Sequence, residues 1–189
     1  MKFSFFQYLL IGLFLFISSC KKGCTDPLAY NYNSNKTIDN GNCNYYDLVY
    51  VDSIKIKRFP SVNQLGNTWD GGDSLDIDND YTYPDIHIQV KTPSGYINEI
   101  NHWPGNVNPS SCNLLFNCGN SISSNAWDQA GFTFYIYDYE YNLSLQLIDS
   151  LIISPFNFNG SGRSNRFIRK YELDSSSDEI DFTVYFHWD

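Results

Sequence analysis

The densest chemistry in this 189-residue chain is carboxylate. Residues 68–85 read TWDGGDSLDIDNDYTYPD and carry Asp70, Asp73, Asp76, Asp78, Asp80 and Asp85. No Lys or Arg occurs between Arg58 and Lys91 to neutralise them. Like charges packed this closely repel unless water or a cation screens them. Calcium suits such a set, because it takes roughly six to eight oxygen ligands, many of them carboxylate. A second acidic pair, Asp138 and Glu140, closes the stretch FTFYIYDYEY at 132–141. Their i, i+2 spacing points both side chains the same way in an extended chain. Asp85 opens one strand pattern and Asp138 closes another. Antiparallel pairing of those strands would bring both acidic segments to one end of a sheet, as a shared cup.

An EF-hand loop does not explain the aspartates. Asp76, Asp78 and Asp80 fall at its first three ligand positions, but Tyr81 stands where the turn needs glycine. His87 stands where a bidentate Glu is needed. Nor do the residues assemble a catalytic pattern. His87, His102 and His187 belong to no nucleophile elbow, HExxH or Cys-His arrangement. Gly71-Gly72 lies among aspartates, which repel a phosphate. A non-enzymatic protein is the expectation. The net charge of −9, from 12 Lys+Arg against 21 Asp+Glu, argues against nucleic acid, whose phosphates need clustered Lys and Arg.

The elements that would hold these groups are strands. Aromatics make up 17% of the chain, a strand-forming composition. Ile54 and Ile56 alternate with Lys55 and Lys57, and Ile86, Ile88 and Val90 with His87, Gln89 and Lys91. Phe132, Phe134 and Ile136 alternate with Thr133, Tyr135 and Tyr137. The series Ile180, Phe182, Val184, Phe186, Trp188 does the same near the end. Such period-two patterns mark strands with one face in a core and one face wet. Further candidates are 95–100, 145–153 and 166–173, and no segment reads as an amphipathic helix. Short strands separated by Gly, Asn, Ser and Pro predict an all-β, antiparallel, eight-stranded sandwich over 45–189. The outward tyrosines read as cross-strand partners. Trp69, Trp103 and Trp127 fall in loop-like sequence, where they either pack loops on the core or stack on a sugar or protein partner.

The N-terminus gives an address. Lys2 precedes an apolar run from Phe5 to Ile17, which suits a secretory leader at 1–19. Its end, Ile17-Ser18-Ser19-Cys20, resembles the lipobox of bacterial lipoproteins, in which the cysteine becomes the lipidated N-terminus. That resemblance implies attachment to the membrane through Cys20, in the outer membrane, facing either the periplasm or the medium. The chain has five cysteines, and lipidation of Cys20 leaves an even set: Cys24, Cys43, Cys112 and Cys118. Three connectivities are open to four cysteines. Proximity favours Cys24–Cys43 and Cys112–Cys118, as disulfides of an oxidising compartment.

Residues 23–43, GCTDPLAYNYNSNKTIDNGNC, resemble a short cysteine-bracketed module of secreted and surface proteins in Gram-negative bacteria. With Leu28 and Ile38 as its main aliphatic residues, this 20–44 segment needs a disulfide staple. Its Asn and Asp side chains read as turn formers. The body resembles a C2-like domain, on Phe59-Pro60, Trp69-Asp70, Pro84 to Val90, and Tyr137-Asp138-Tyr139-Glu140. The resemblance implies calcium held by Asp70, Asp85, Asp138 and Glu140, with Gln146 where the family supplies a further aspartate. The functional expectation is a lipid-anchored cell-envelope binding or structural protein that depends on calcium. The alternative is a metal-free sandwich that binds carbohydrate or protein through its aromatics.

Overall fold

The computed structural model describes residues 21–69, 83–100, 104–139, 145–160, 162–174 and 180–189. In chain order the elements are β1 (Lys22–Gly23), β2 (Ile38–Asp39), β3 (Leu48–Arg58), β4 (Ile86–Lys91), β5 (Ile97–Glu99) and β6 (Leu114–Asn117). They continue with β7 (Ser123–Asn125), β8 (Phe132–Tyr139), β9 (Leu145–Ile153), the helical turn α1 (Arg163–Arg166), β10 (Lys170–Leu173) and β11 (Asp181–Trp188). One sheet runs β10-β11-β3-β6, with β7 also on β3; the other runs β5-β4-β8-β9. Every pairing within these two sheets is antiparallel. β6 and β7 lie along successive parts of the same edge of β3, so the expected eight strand positions are filled. Among the described residues no helix is long and apolar enough to cross a membrane.

The alternation seen in the sequence sorts the faces. Ile54, Ile56, Phe182, Val184 and Phe186 of the first sheet meet Ile86, Ile88, Phe132, Phe134 and Ile136 of the second in one buried core. Phe134 meets Phe182 edge-on at 5.3 Å, and Phe132 meets Phe186 at 6.0 Å. The protein is an all-β antiparallel sandwich. Within β3 the buried positions shift parity, from Val49 and Val51 to Ile54 and Ile56. A bulge absorbs the shift: Tyr185 pairs with Ser53 but Phe186 with Val51. A residue inserted into one strand keeps both halves facing the core.

Two expectations change. The strand expected over 166–173 is confined to β10, because α1 turns the chain and buries Arg166 and Phe167. The disulfide expected between Cys112 and Cys118 does not form; both are free, buried thiols. The strand between them is the reason. Cys112 lies against Ile56 O, whereas the Cys118 N–H donates to Asp52 O. Those anchor points are four residues apart on β3, or about 13 Å, twice the Cα separation a disulfide spans. Burial pushes the Cys112 thiol up to about 11 and the Cys118 thiol up to about 12.

Cys24 and Cys43 do form a disulfide, with Cα atoms 5.0 Å apart. Asx turns fill the bracketed segment: Asp26, Asn33, Asp39 and Asn40 each accept the N–H two residues on. The segment rests on the sandwich. Tyr30 packs on Tyr46 at 4.7 Å, and Tyr46 reaches Phe167 at 5.1 Å and Trp188 at 5.7 Å.

Candidate functional site

β4 begins and β8 ends side by side, with Ile86 in register with Asp138. Asp138 continues the core-facing series Phe132, Phe134, Ile136 and is fully buried. Its Oδ1 accepts the Asp85 N–H at 2.9 Å, and the Tyr139 N–H donates to Asp85 O at 2.9 Å. The Asp85 carboxylate in turn accepts the Asn106 N–H at 2.8 Å. Gly105 makes that approach possible, because a Cβ there would lie 2.9 Å from Asp85 Oδ1. Two backbone bonds, Ile86 N–H to Pro104 O and Val107 N–H to Pro84 O, complete the attachment of this turn to the start of β4.

Of the four residues expected to bind calcium, the structure thus brings Asp85 and Asp138 together. Asp70 and Glu140 lie outside the described residues, as do Asp73, Asp76, Asp78 and Asp80. Among the described residues no group of three or more His, Cys, Asp and Glu could hold a metal ion. Asp85 and Asp138 could ligate a cation only with oxygens from beyond that set. In the described structure both carboxylates brace backbone N–H groups. A charged acceptor strengthens such bonds relative to neutral ones.

The tryptophans divide. Trp69 is buried and its indole N–H donates to Pro60 O at 2.7 Å, so it packs a loop. Trp127 is 43% exposed, edge-on to Tyr45 at 5.9 Å, and borders a cleft with Asp47, Leu48, Asn125 and Asp128. Trp103 and His102 lie outside the described residues. His87 is buried against the Tyr137 and Tyr139 rings, and that burial lowers its pKa below the ordinary 6.5. His187 pairs with Asp52 and stacks on Tyr50 at 4.5 Å. Cys118, whose N–H donates to Asp52 O, is a buried thiol held protonated, which is a poor nucleophile.

Sequence reasoning missed a third group. Arg163, Arg166 and Arg169 recur every third residue after Gly162, in a chain with one other arginine, Arg58. Arg163 lies over the Tyr30 ring at 4.7 Å and donates to Tyr46 Oη, clasping the bracketed segment to the sandwich. Arg166 is 2% exposed. Its guanidinium sits 4.8 Å from the Tyr32 ring centre and 5.8 Å from that of Phe156. Nε, Nη1 and Nη2 have no hydrogen-bond partner among the described residues. Burying a cation costs several kcal/mol, and ring contacts return about 2. Asp26 feels its charge. The Leu28 N–H, then the Tyr45 hydroxyl, then the Arg166 charge hold the Asp26 carboxyl below its ordinary value. Asp26 bonds to Leu28 and Tyr45, not to Arg166.

Arg166 lines a cleft of ≈ 570 Å³ between the bracketed segment and the sandwich. Asn33 to Asn35 form one wall, and Phe158 to Gly160 the other. Gly160 passes so close to Asn165 O that a Cβ would collide with it. The legible signal for this group was arginine spacing in an arginine-poor chain. Neither a protein-family model nor a curated protein matches the chain.

Proposed function

We propose that the chain is a non-enzymatic, lipid-anchored binding protein of the bacterial outer membrane, with a calcium-responsive loop end. The observation that carries the calcium reading is the register of Ile86 with the fully buried Asp138. It sets the end of the acidic stretch 70–85 beside the start of the one at 138–140. Carboxylates gathered there repel until a divalent cation neutralises them. Asp85 and Asp138 then keep the strand ends in place, and Asp70 and Glu140 complete the ligand set.

The anchor reading rests on Ile17-Ser18-Ser19-Cys20 and is supported by the Cys24–Cys43 disulfide, which belongs to an oxidising compartment. Cysteine parity no longer contributes, since Cys112 and Cys118 are both free. The C2-like and bracketed-module resemblances agree with this reading through their quoted residues.

Two experiments test it. Palmitate labelling in a Gram-negative host is expected to mark the chain and to be lost in Cys20→Ser; unlabelled wild-type chain would remove the anchor. Calorimetric titration with calcium is expected to show binding that Asp85→Asn with Asp138→Asn abolishes. Equal binding in wild type and double variant would move the site elsewhere. A metal-free reading, in which aromatics bind a glycan, is favoured by the exposed ring of Trp127.

A further inference from the structure

We propose that the cleft over Arg166 binds a carboxylate carried on a sugar, so that the chain recognises an acidic saccharide. This site is independent of calcium at the strand tips. The first observation is the guanidinium itself. It is a permanent charge, 2% exposed, with no acceptor among the described residues on any of its three nitrogens. A planar fork of N–H donors matches the two oxygens of a carboxylate. Arg163, three residues before Arg166, is committed to the Tyr46 hydroxyl.

Charge selects a single carboxylate over a phosphate dianion. One cation lines the cleft, the Asp26 carboxylate lies within its field, and the whole chain is at −9. A second negative charge would meet repulsion from this background.

The walls select a hydroxylated body for that carboxylate. Asn33 uses its side-chain oxygen on the Asn35 N–H at 3.0 Å and retains its amide NH2 for a ligand oxygen. Asn35 and Asn159 add further amides. Phe158 is 51% exposed and offers an apolar face at the rim. Amides for hydroxyls, a ring for the C–H face of a pyranose and one guanidinium for the acid are the complement of a uronic acid. The guanidinium nitrogens are closed to solvent. Tyr32, whose ring covers the guanidinium from the bracketed segment, is the side chain that must swing aside to admit the carboxylate.

The test is calorimetric titration of the full mature chain carrying Cys20→Ser, in chelator. The probes are glucuronate and galacturonate oligomers, with glucose oligomers, inorganic phosphate and a short peptide with a free C-terminus as comparisons. The uronate oligomers are expected to bind at least tenfold more tightly than the glucose oligomers, and phosphate and peptide not to bind. Arg166→Gln and Phe158→Ala are each expected to lower uronate affinity tenfold or more. Should Arg166→Gln not fold, Phe158→Ala and Asn35→Ala at the exposed rim decide. Equal binding of acidic and neutral sugars, binding of phosphate or peptide in place of uronate, no binding, or unchanged affinity in the rim variants would each overturn the proposal.

Discussion

At the strand-tip end, Asp138 is fully buried and its Oδ1 takes the Asp85 N–H; at the other end, Arg166 is 2% exposed and its guanidinium meets no acceptor among the described residues. The two ends lie apart along the strands. Phe132 meets Phe186 on the side of Trp188 and the bracketed segment, and β8 then runs about 20 Å to Asp138. The difference is one of local supply. A strand beginning at Ile86 offers backbone donors, and Asp138 Oδ1 takes one of them, the Asp85 N–H. Around Arg166 stand rings and side-chain amides, and the nearby carboxylate is bonded elsewhere. The Asp138 carboxyl thus braces backbone, whereas the Arg166 guanidinium braces nothing among the described residues.

Removing the staple should disturb the Arg166 end most. Replacing Cys24 and Cys43 by alanine is expected to cost about 3 kcal/mol, read from urea unfolding. A loss below ~1 kcal/mol would mean that the aromatic contacts of Tyr30 hold the segment unaided. Next comes Asp138→Ala, which strips the acceptor from the half-buried Asp85 N–H and is expected to cost about 2 kcal/mol. Asp138→Asn keeps the oxygen and should retain most of that stability. Equal losses in the two variants would break the brace reading.

Arg166→Met sharpens the comparison by reversing the sign. Exchanging an unmet buried charge for an apolar chain is expected to raise stability by about 1 kcal/mol while removing saccharide binding. A clear destabilisation would mean that the guanidinium has an acceptor in solution. The smallest effect is in pH. His87 has its folded pKa lowered by burial, so its contribution is complete above 6.5 and is lost as pH falls through the folded value. Asp26 is also lowered, from 3.8, so its contribution is lost at more acidic pH. A modest decline in stability just below pH 6.5 is therefore expected, and it should vanish in His87→Gln. A decline that survives the substitution would assign it to another group.

The sandwich was legible because period-two alternation is a property of each strand alone: Ile86-Ile88-Val90 and Phe132-Phe134-Ile136 read correctly without knowing their partners. Asp85 beside Asp138 was legible for the same reason, as one opens a strand and the other closes its neighbour. Cys112 and Cys118 misled because closeness in sequence was taken as closeness in space, and an intervening strand holds them apart. The bulge in β3 was hidden, since it depends on the register of β11. Arg166 was missed because nothing local buries an arginine. Its ring contacts are with Tyr32, far away in sequence, and with Phe156, ten residues before it.

The central claim is that the acidic strand tips respond to calcium, and thermal unfolding tests it most directly. The mature chain with Cys20→Ser would be heated in calcium, in magnesium and in chelator. At a hundredfold excess over Kd, calcium should raise Tm by about 5 °C. Magnesium should not, and the shift should be lost in Asp85→Asn with Asp138→Asn. A Tm unchanged across millimolar calcium would contradict the claim and leave Asp85 and Asp138 as backbone braces alone.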